Sequence, residues 1–175
     1  MNTKISFQIR ELILDSIIQS RRGHIGSALS IVEILYVLYF KHMNISKNNI
    51  NNLKRDRFIL SKGHGCLALY VILYLKNFIN LKDLNSFCLE NSLLGGHPES
   101  RLIPGVEFST GSLGHGLSVA VGMAISSKLN NLKNQVYVLL GDGELQEGSI
   151  WEAAMSCNNK NLKNLNIIID YNKLQ

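Results

Sequence analysis

The chain has 175 residues, 46% of them hydrophobic, enough for one domain with a sizeable core. Its formal net charge of +5 is carried by single lysines and arginines, densest at Arg21-Arg22 and Lys54-Arg55-Asp56-Arg57. No basic helix face is interleaved with aromatics, which excludes nucleic-acid binding as the main function and leaves a potential that recruits small anions. Cys66, Cys88 and Cys157 are odd in number and form no Cys-x-x-Cys, so they read as free thiols of a reducing cytoplasm.

No signal peptide is visible at residues 1–10, whose short apolar stretches are broken by charge. Residues 6–20 carry Phe7, Ile9, Leu12, Ile13 and Ile17 in a helical stripe that stops near Gly23. Ser30-Ile-Val-Glu33 resembles a capping box opening a helix through His42. The longest apolar region, residues 28–40, contains Glu33 and is too short for a bilayer, so no membrane association is expected. Residues 44–52 form a polar linker before a short strand, Arg57-Phe-Ile-Leu60, and helices are predicted over 66–78 and 81–88. Residues 95–111 make a long loop with both prolines. Residues 112–130 read as helical despite Gly114, Gly116 and Gly122, whose small size permits close packing. Two apolar runs, 135–140 and 166–170, read as parallel strands covered on both faces, and 149–157 as their crossover helix. The fold class is α/β, a parallel sheet flanked by helices.

The chemistry concentrates where those two strands end. Gly141-Asp142-Gly143 follows the first, and Tyr171-Asn172 follows the second. Neighbouring parallel strands open their carboxyl ends into one crevice, where the Asp142 carboxylate and the Asn172 amide oxygen can meet on one cation. Oxygen ligands with open positions suit Mg²⁺ shared with a ligand's phosphates, and the flanking glycines let the backbone approach a diphosphate. A bare Gly-Asp-Gly is most often a simple turn; the strand context and Asn172 turn it into a metal-diphosphate cradle. A second signal is independent of the first. Four of the five histidines, His24, His64, His97 and His115, directly follow a glycine, where 14 glycines in 175 residues give about 0.4 by chance. Loops that present several imidazoles point to a polar pocket that moves protons near neutral pH.

These residues resemble the signature of thiamine diphosphate enzymes, Gly-Asp-Gly followed roughly thirty residues later by Asn. The strings Gly141-Asp-Gly-Glu-Leu-Gln-Glu-Gly148, Trp151-Glu-Ala-Ala154 and Asp170-Tyr-Asn-Lys-Leu-Gln175 are similar to the transketolase family in particular. So are Gly23-His24-Ile-Gly26, Asp56-Arg-Phe-Ile-Leu-Ser-Lys-Gly-His64 and Gly96-His97-Pro98-Glu99. The resemblance implies a thiamine diphosphate-binding fold in which Asp142, Asn172 and the Leu174 carbonyl hold Mg²⁺, or Ca²⁺. It implies cofactor contacts from His64, Gly111, Ser112, Leu113, Gly141, Asp142, Gly143, Glu144 and Asn172, and catalytic roles for His24, His64, His97 and Glu147. Glu147, which by itself reads as a solvated first-turn residue, matches a glutamate of a buried carboxylate network at the family's subunit interface. His115 stands where the family usually has glutamine and is not expected to be catalytic; Ser112 stands where many members have proline.

The activity implied is transfer of a two-carbon ketol unit between sugar phosphates, within pentose phosphate metabolism. Residues 1–175 correspond to the front portion of the diphosphate-binding domain. The pyrimidine-binding domain, whose glutamate activates the cofactor in the family, and the C-terminal domain are expected on a partner chain, in a dimer or higher assembly. A truncation and a natural subunit both remain open. A non-catalytic diphosphate-binding fragment is the rival reading. A deoxyxylulose phosphate synthase would share the cradle, but the string at residues 56–64 favours transketolase. A histidine metallohydrolase would need His-x-His or His-Glu-x-x-His, which are absent.

Overall fold

The computed structural model describes residues 3–174; Met1, Asn2 and Gln175 lie outside them. Three strands, β1 (Arg57–Leu60), β2 (Val136–Gly141) and β3 (Leu165–Asp170), form a parallel sheet in that order. The helices are α1 (Thr3–Ser20), α2 (Ile25–Leu29), α3 (Val32–Val37), α4 (Cys66–Leu75), α5 (Leu81–Asn85), α6 (Gly116–Leu129) and α7 (Gly148–Lys160). The expected α/β class holds, and the β2–α7–β3 unit places two strands side by side, with Gly141 paired to Asp170.

Alternation along the strands divides the core in two. Phe58, Leu60 and Leu139 pack with Ile9, Ile13, Leu35 and the wholly apolar α4, while Ile59, Val136, Val138 and Leu140 pack with Leu117, Ala120, Ala124, Ile150 and Ala153 of α6 and α7. A parallel sheet has to be covered on both faces, and for β1 and β2 it is. The expectation fails at β3, where Ile167 and Ile169 are 41% and 44% exposed: α6 lies mainly over β2, and α7 packs against α6, leaving one face of this edge strand open among the described residues.

Several boundaries move, each for a local reason. The capping box at Ser30 does not form, because the helical run already begins at Ile25 and Ser30 directs its hydroxyl to Ser27 and Asp170 instead. Glu33 takes two hydrogen bonds from the Arg10 guanidinium and one from Ser6; the Arg10 contact holds its carboxyl down at about 2. The run continues as a π turn over Leu38–His42. Ile25–His42 therefore spans 18 residues at mean hydropathy 1.3, enough by length and composition to cross a membrane, which corrects the shorter apolar region read from sequence. Here Ile31, Val32, Leu35 and Tyr39 of that run are buried in the core. α4 ends at Leu75, before Asn77 at φ +62, and α5 ends at Asn85.

α6 starts at Gly116 rather than at Ser112. Gly114 sits at φ +87, a left-handed conformation that no helix continues through. At Gly116 the constraint is contact, since a Cβ there would lie 2.3 Å from Ser61 Oγ and 2.9 Å from Ser61 Cα. The helix start is thus seated directly on the end of β1. Gly116→Ala is expected to destabilise the protein by about 1–3 kcal/mol through overpacking, read as a lower urea midpoint with unchanged slope.

Candidate functional site

Three strand ends build the site. Beyond β1 the chain runs through Ser61, Lys62, Gly63 and His64; beyond β2 through Asp142 and Gly143; beyond β3 through Tyr171 to Leu174. They enclose a cavity of about 330 Å³ lined by Lys62, His64, Leu113, Gly141, Asp142, Gly143, Glu144, Asn172 and Leu174. The Asp142 N–H donates to the Asp170 carbonyl at 3.2 Å, and Asp142 Oδ2 accepts from the Lys173 N–H at 3.2 Å. Lys173 lies at φ +61, and Asn172 Oδ1 accepts from the Leu174 N–H at 2.7 Å. This turn folds Asn172 and Leu174 back towards Asp142.

The donor set fits the group that the sequence implies. One carboxylate, one amide oxygen and one backbone carbonyl are hard ligands that leave positions open for phosphate oxygens. Among the described residues no cluster of three His, Cys, Asp or Glu side chains forms a closed metal cage. The glycines on either side of Asp142 bring no side chain into the cavity; the Gly141 N–H donates to Glu144 and the Gly143 N–H to Asp142 Oδ1.

Glu144 lines the cavity yet turns its charge into the protein. It is 2% exposed, and its oxygens accept from Ser61 Oγ, from the Gly114 N–H at 2.9 Å and from the Gly141 N–H at 3.2 Å. These bonds tie the loop before α6 to the ends of β1 and β2. Glu147 is exposed at the N-cap of α7, its stem against Gly114.

Three of the four glycine-preceded histidines, His24, His64 and His97, gather, while His115 sits at the N-cap of α6. The rings of His24 and His64 are 5.7 Å apart and those of His24 and His97 are 6.4 Å apart. His64, half-buried, belongs both to this cluster and to the cavity wall; His24 and His97 are exposed. Burial first, then the positive charge of Lys62 and the two neighbouring imidazoles, pushes the pKa of His64 below the ordinary histidine range. The His97 ring lies over Gly111, where a Cβ would come within 3.2 Å of it. Its loop is fastened along its length: Tyr70 donates to the Gly95 and His97 carbonyls, Cys66 to Gly96, and Thr110 Oγ1 to the Leu60 carbonyl at 2.7 Å. At the far end Glu107 is held by Arg55 and Arg57. Ser112 is exposed beside Leu113, and His115 is exposed at the N-cap of α6.

Three further residues, which the motifs did not single out, are joined beside the cavity. Lys62 lies in the string at residues 56–64, but nothing in its spacing reveals that its ammonium is buried against Asp170, with Ser30 on the same carboxylate.

Many known proteins are similar to this chain in sequence and in fold. The family description "Transketolase, thiamine diphosphate binding domain" matches residues 1–175. An apulose-4-phosphate transketolase subunit of Phocaeicola vulgatus is 46% identical over 166 residues, covering 95% of this chain and 59% of its own length. The 6-deoxy-6-sulfo-D-fructose transketolase subunit SqwG of a Clostridium species is 44% identical, covering 95% and 61%. The solved transketolase of Campylobacter jejuni superposes with a TM-score of 0.94 at 35% identity, covering all of this chain and 29% of that one. The chain thus spans somewhat over half the length of the subunit-type relatives.

The site makes a direct spectroscopic prediction. Followed by NMR, the His64 imidazole is expected to titrate below the ordinary histidine value of 6.5. Because charging it is disfavoured in the folded state, its contribution to stability is present above pH 6.5 and declines as pH falls below that value. A His64 pKa at or above 6.5 would contradict the geometry.

Proposed function

Because the chain belongs to the family of transketolase thiamine diphosphate-binding domains, we propose that it holds Mg²⁺-thiamine diphosphate and takes part in moving a two-carbon ketol unit from a ketose phosphate to an aldose phosphate. The observation that carries this reading is the single cavity in which Asp142, Asn172 and Leu174 meet over a glycine floor, with His64 in its wall. Mg²⁺ would be held by the Asp142 carboxylate, the Asn172 amide oxygen and the Leu174 carbonyl; Ca²⁺ satisfies the same oxygen set. Gly141, Gly143 and Leu113 would bring backbone to the diphosphate, with Gly111 and Ser112 beside them. Thiamine diphosphate, when bound, supplies the carbon nucleophile.

The rest of the work falls to this chain's imidazoles. His64 is held neutral by its surroundings, so it is ready to accept a proton from a substrate hydroxyl or pass one on. His24 and His97, exposed on the open side of the cluster, are placed to receive sugar hydroxyls and orient them. Glu147 presents a carboxylate to whatever packs on the start of α7.

Residues 1–175 act in this reading as the front of the diphosphate-binding domain. The word "subunit" in the names of three relatives supports a partner chain, which would bring the pyrimidine-binding domain and complete the site in a dimer or larger assembly in the cytoplasm. The same names, with apulose-4-phosphate in one and a sulfonated fructose in another, support sugars with an anionic terminus as the substrate class; pentose phosphates are the simplest members of it.

Asp142→Ala is expected to abolish metal-dependent thiamine diphosphate binding, measured by titration calorimetry with and without the candidate partner; unchanged affinity rules out the cradle. In the assembled enzyme, His97→Ala is expected to lower kcat by about 10²-fold while cofactor affinity stays within a few-fold. A loss confined to cofactor affinity would remove the proton-handling role of His97.

A further inference from the structure

Lys62 is a buried cation that the chemistry above does not use. Its side chain is 1% exposed, and its Nζ lies 2.6 Å from Asp170 Oδ2. Ser30 Oγ donates to the same oxygen, also at 2.6 Å. Between its backbone at the end of β1 and its ammonium at the end of β3, the stem passes the end of β2: its Cβ and Cδ lie 3.8 and 3.9 Å from where a Cβ on Gly141 would be. The side chain therefore crosses under the Gly-Asp-Gly turn and fastens the outer strands across the middle one. Asp170 is itself joined to both halves of the cradle. Its carbonyl accepts from the Asp142 N–H at 3.2 Å, and its backbone leads through Tyr171 into Asn172.

We propose that Lys62 is a positioning residue for the metal-diphosphate cradle: by clamping Asp170 beneath Gly141 it fixes Asn172 and Leu174 relative to Asp142, without contacting the cofactor. The inference rests on the cofactor reading given above. A buried ion pair is a costly way to fill space, since apolar residues of similar volume are often as stable or more so. What the pair adds is direction. An ammonium held by one carboxylate oxygen at 2.6 Å ties the end of β3 to β1, and loss of outer partners that orient metal ligands typically costs about tenfold to a hundredfold in metal affinity.

The test is a titration of Mn²⁺ into the full-length protein, together with its partner chain where assembly requires one, at saturating thiamine diphosphate. Bound metal is read by electron paramagnetic resonance, so catalytic turnover does not enter. Lys62→Met and Asp170→Asn are each expected to weaken Mn²⁺ at least tenfold, and Lys62→Arg to recover part of the loss. Asp170→Asn frees the ammonium, so if Lys62 gripped the diphosphate directly this variant would bind as tightly as wild type or tighter; that outcome overturns the proposal. The double variant Lys62→Met, Asp170→Leu removes both charges. It is expected to melt close to wild type yet keep the weakened metal binding, whereas recovered affinity would show that the single variants had failed only through an unpaired buried charge. If Lys62→Met does not fold, the double variant and Lys62→Arg decide the matter. A wild-type protein that shows no thiamine diphosphate-dependent Mn²⁺ binding overturns the cofactor reading and this inference with it; wild-type binding matched by Lys62→Met overturns the inference alone.

Discussion

Parallel strands end without turns to join them, so a crevice at their carboxyl ends is only as rigid as the contacts made across it. Here those contacts are charged and buried. Lys62 and Asp170 join β1 to β3, and Glu144 joins the ends of β1 and β2 to the loop before α6. Taking such groups out of water costs several kcal/mol for each ion before any partner is counted. Their hydrogen bonds offset part of that. The strand ends are thereby held in one arrangement.

The packing beneath them makes this possible. Phe58 and Leu60 anchor β1 from one face and Ile59 from the other, while Val136, Val138 and Leu139 do the same for β2. With the middle strand clasped from both sides, strain at the crevice has little freedom to relax by sliding strands. Small residues then let the covering layers come close. Ala120 and Ala124 seat α6 on the sheet, and Gly116 brings its first turn onto Ser61, the residue that donates to Glu144. Core and site are one construction, because the residue that limits helix approach also orients a carboxylate of the crevice.

Much of this was legible in the chain. The strands announce themselves as apolar runs at residues 57–60, 135–140 and 166–170, Asp142 and Asn172 as hard donors at their ends, and three of the four glycine-histidine pairs as a cluster. Such signals are local, and local physics enforces them. Helix starts were less legible, because Ser30 has an acceptor 140 residues away in Asp170 and Gly114 adopts a left-handed φ to suit Glu147 and Ser149 packed against it. The Lys62–Asp170 pair spans 108 residues, and no periodicity encodes a contact of that length. A lysine between an apolar strand and a glycine reads as solvated until the fold closes over it.

The two acidic residues after β2 show how finely the backbone divides such roles. Asp142 and Glu144 are separated by one glycine, and both border the same cavity. Asp142 begins the short 3₁₀ turn Gly143–Gln146 and keeps its carboxylate at the ends of β2 and β3, in contact with backbone N–H groups alone. Glu144, inside that turn, is carried back under the strand end and filled with donors from three segments. The tight turn after β2 is therefore what separates a carboxylate available to a metal from one that holds the crevice together.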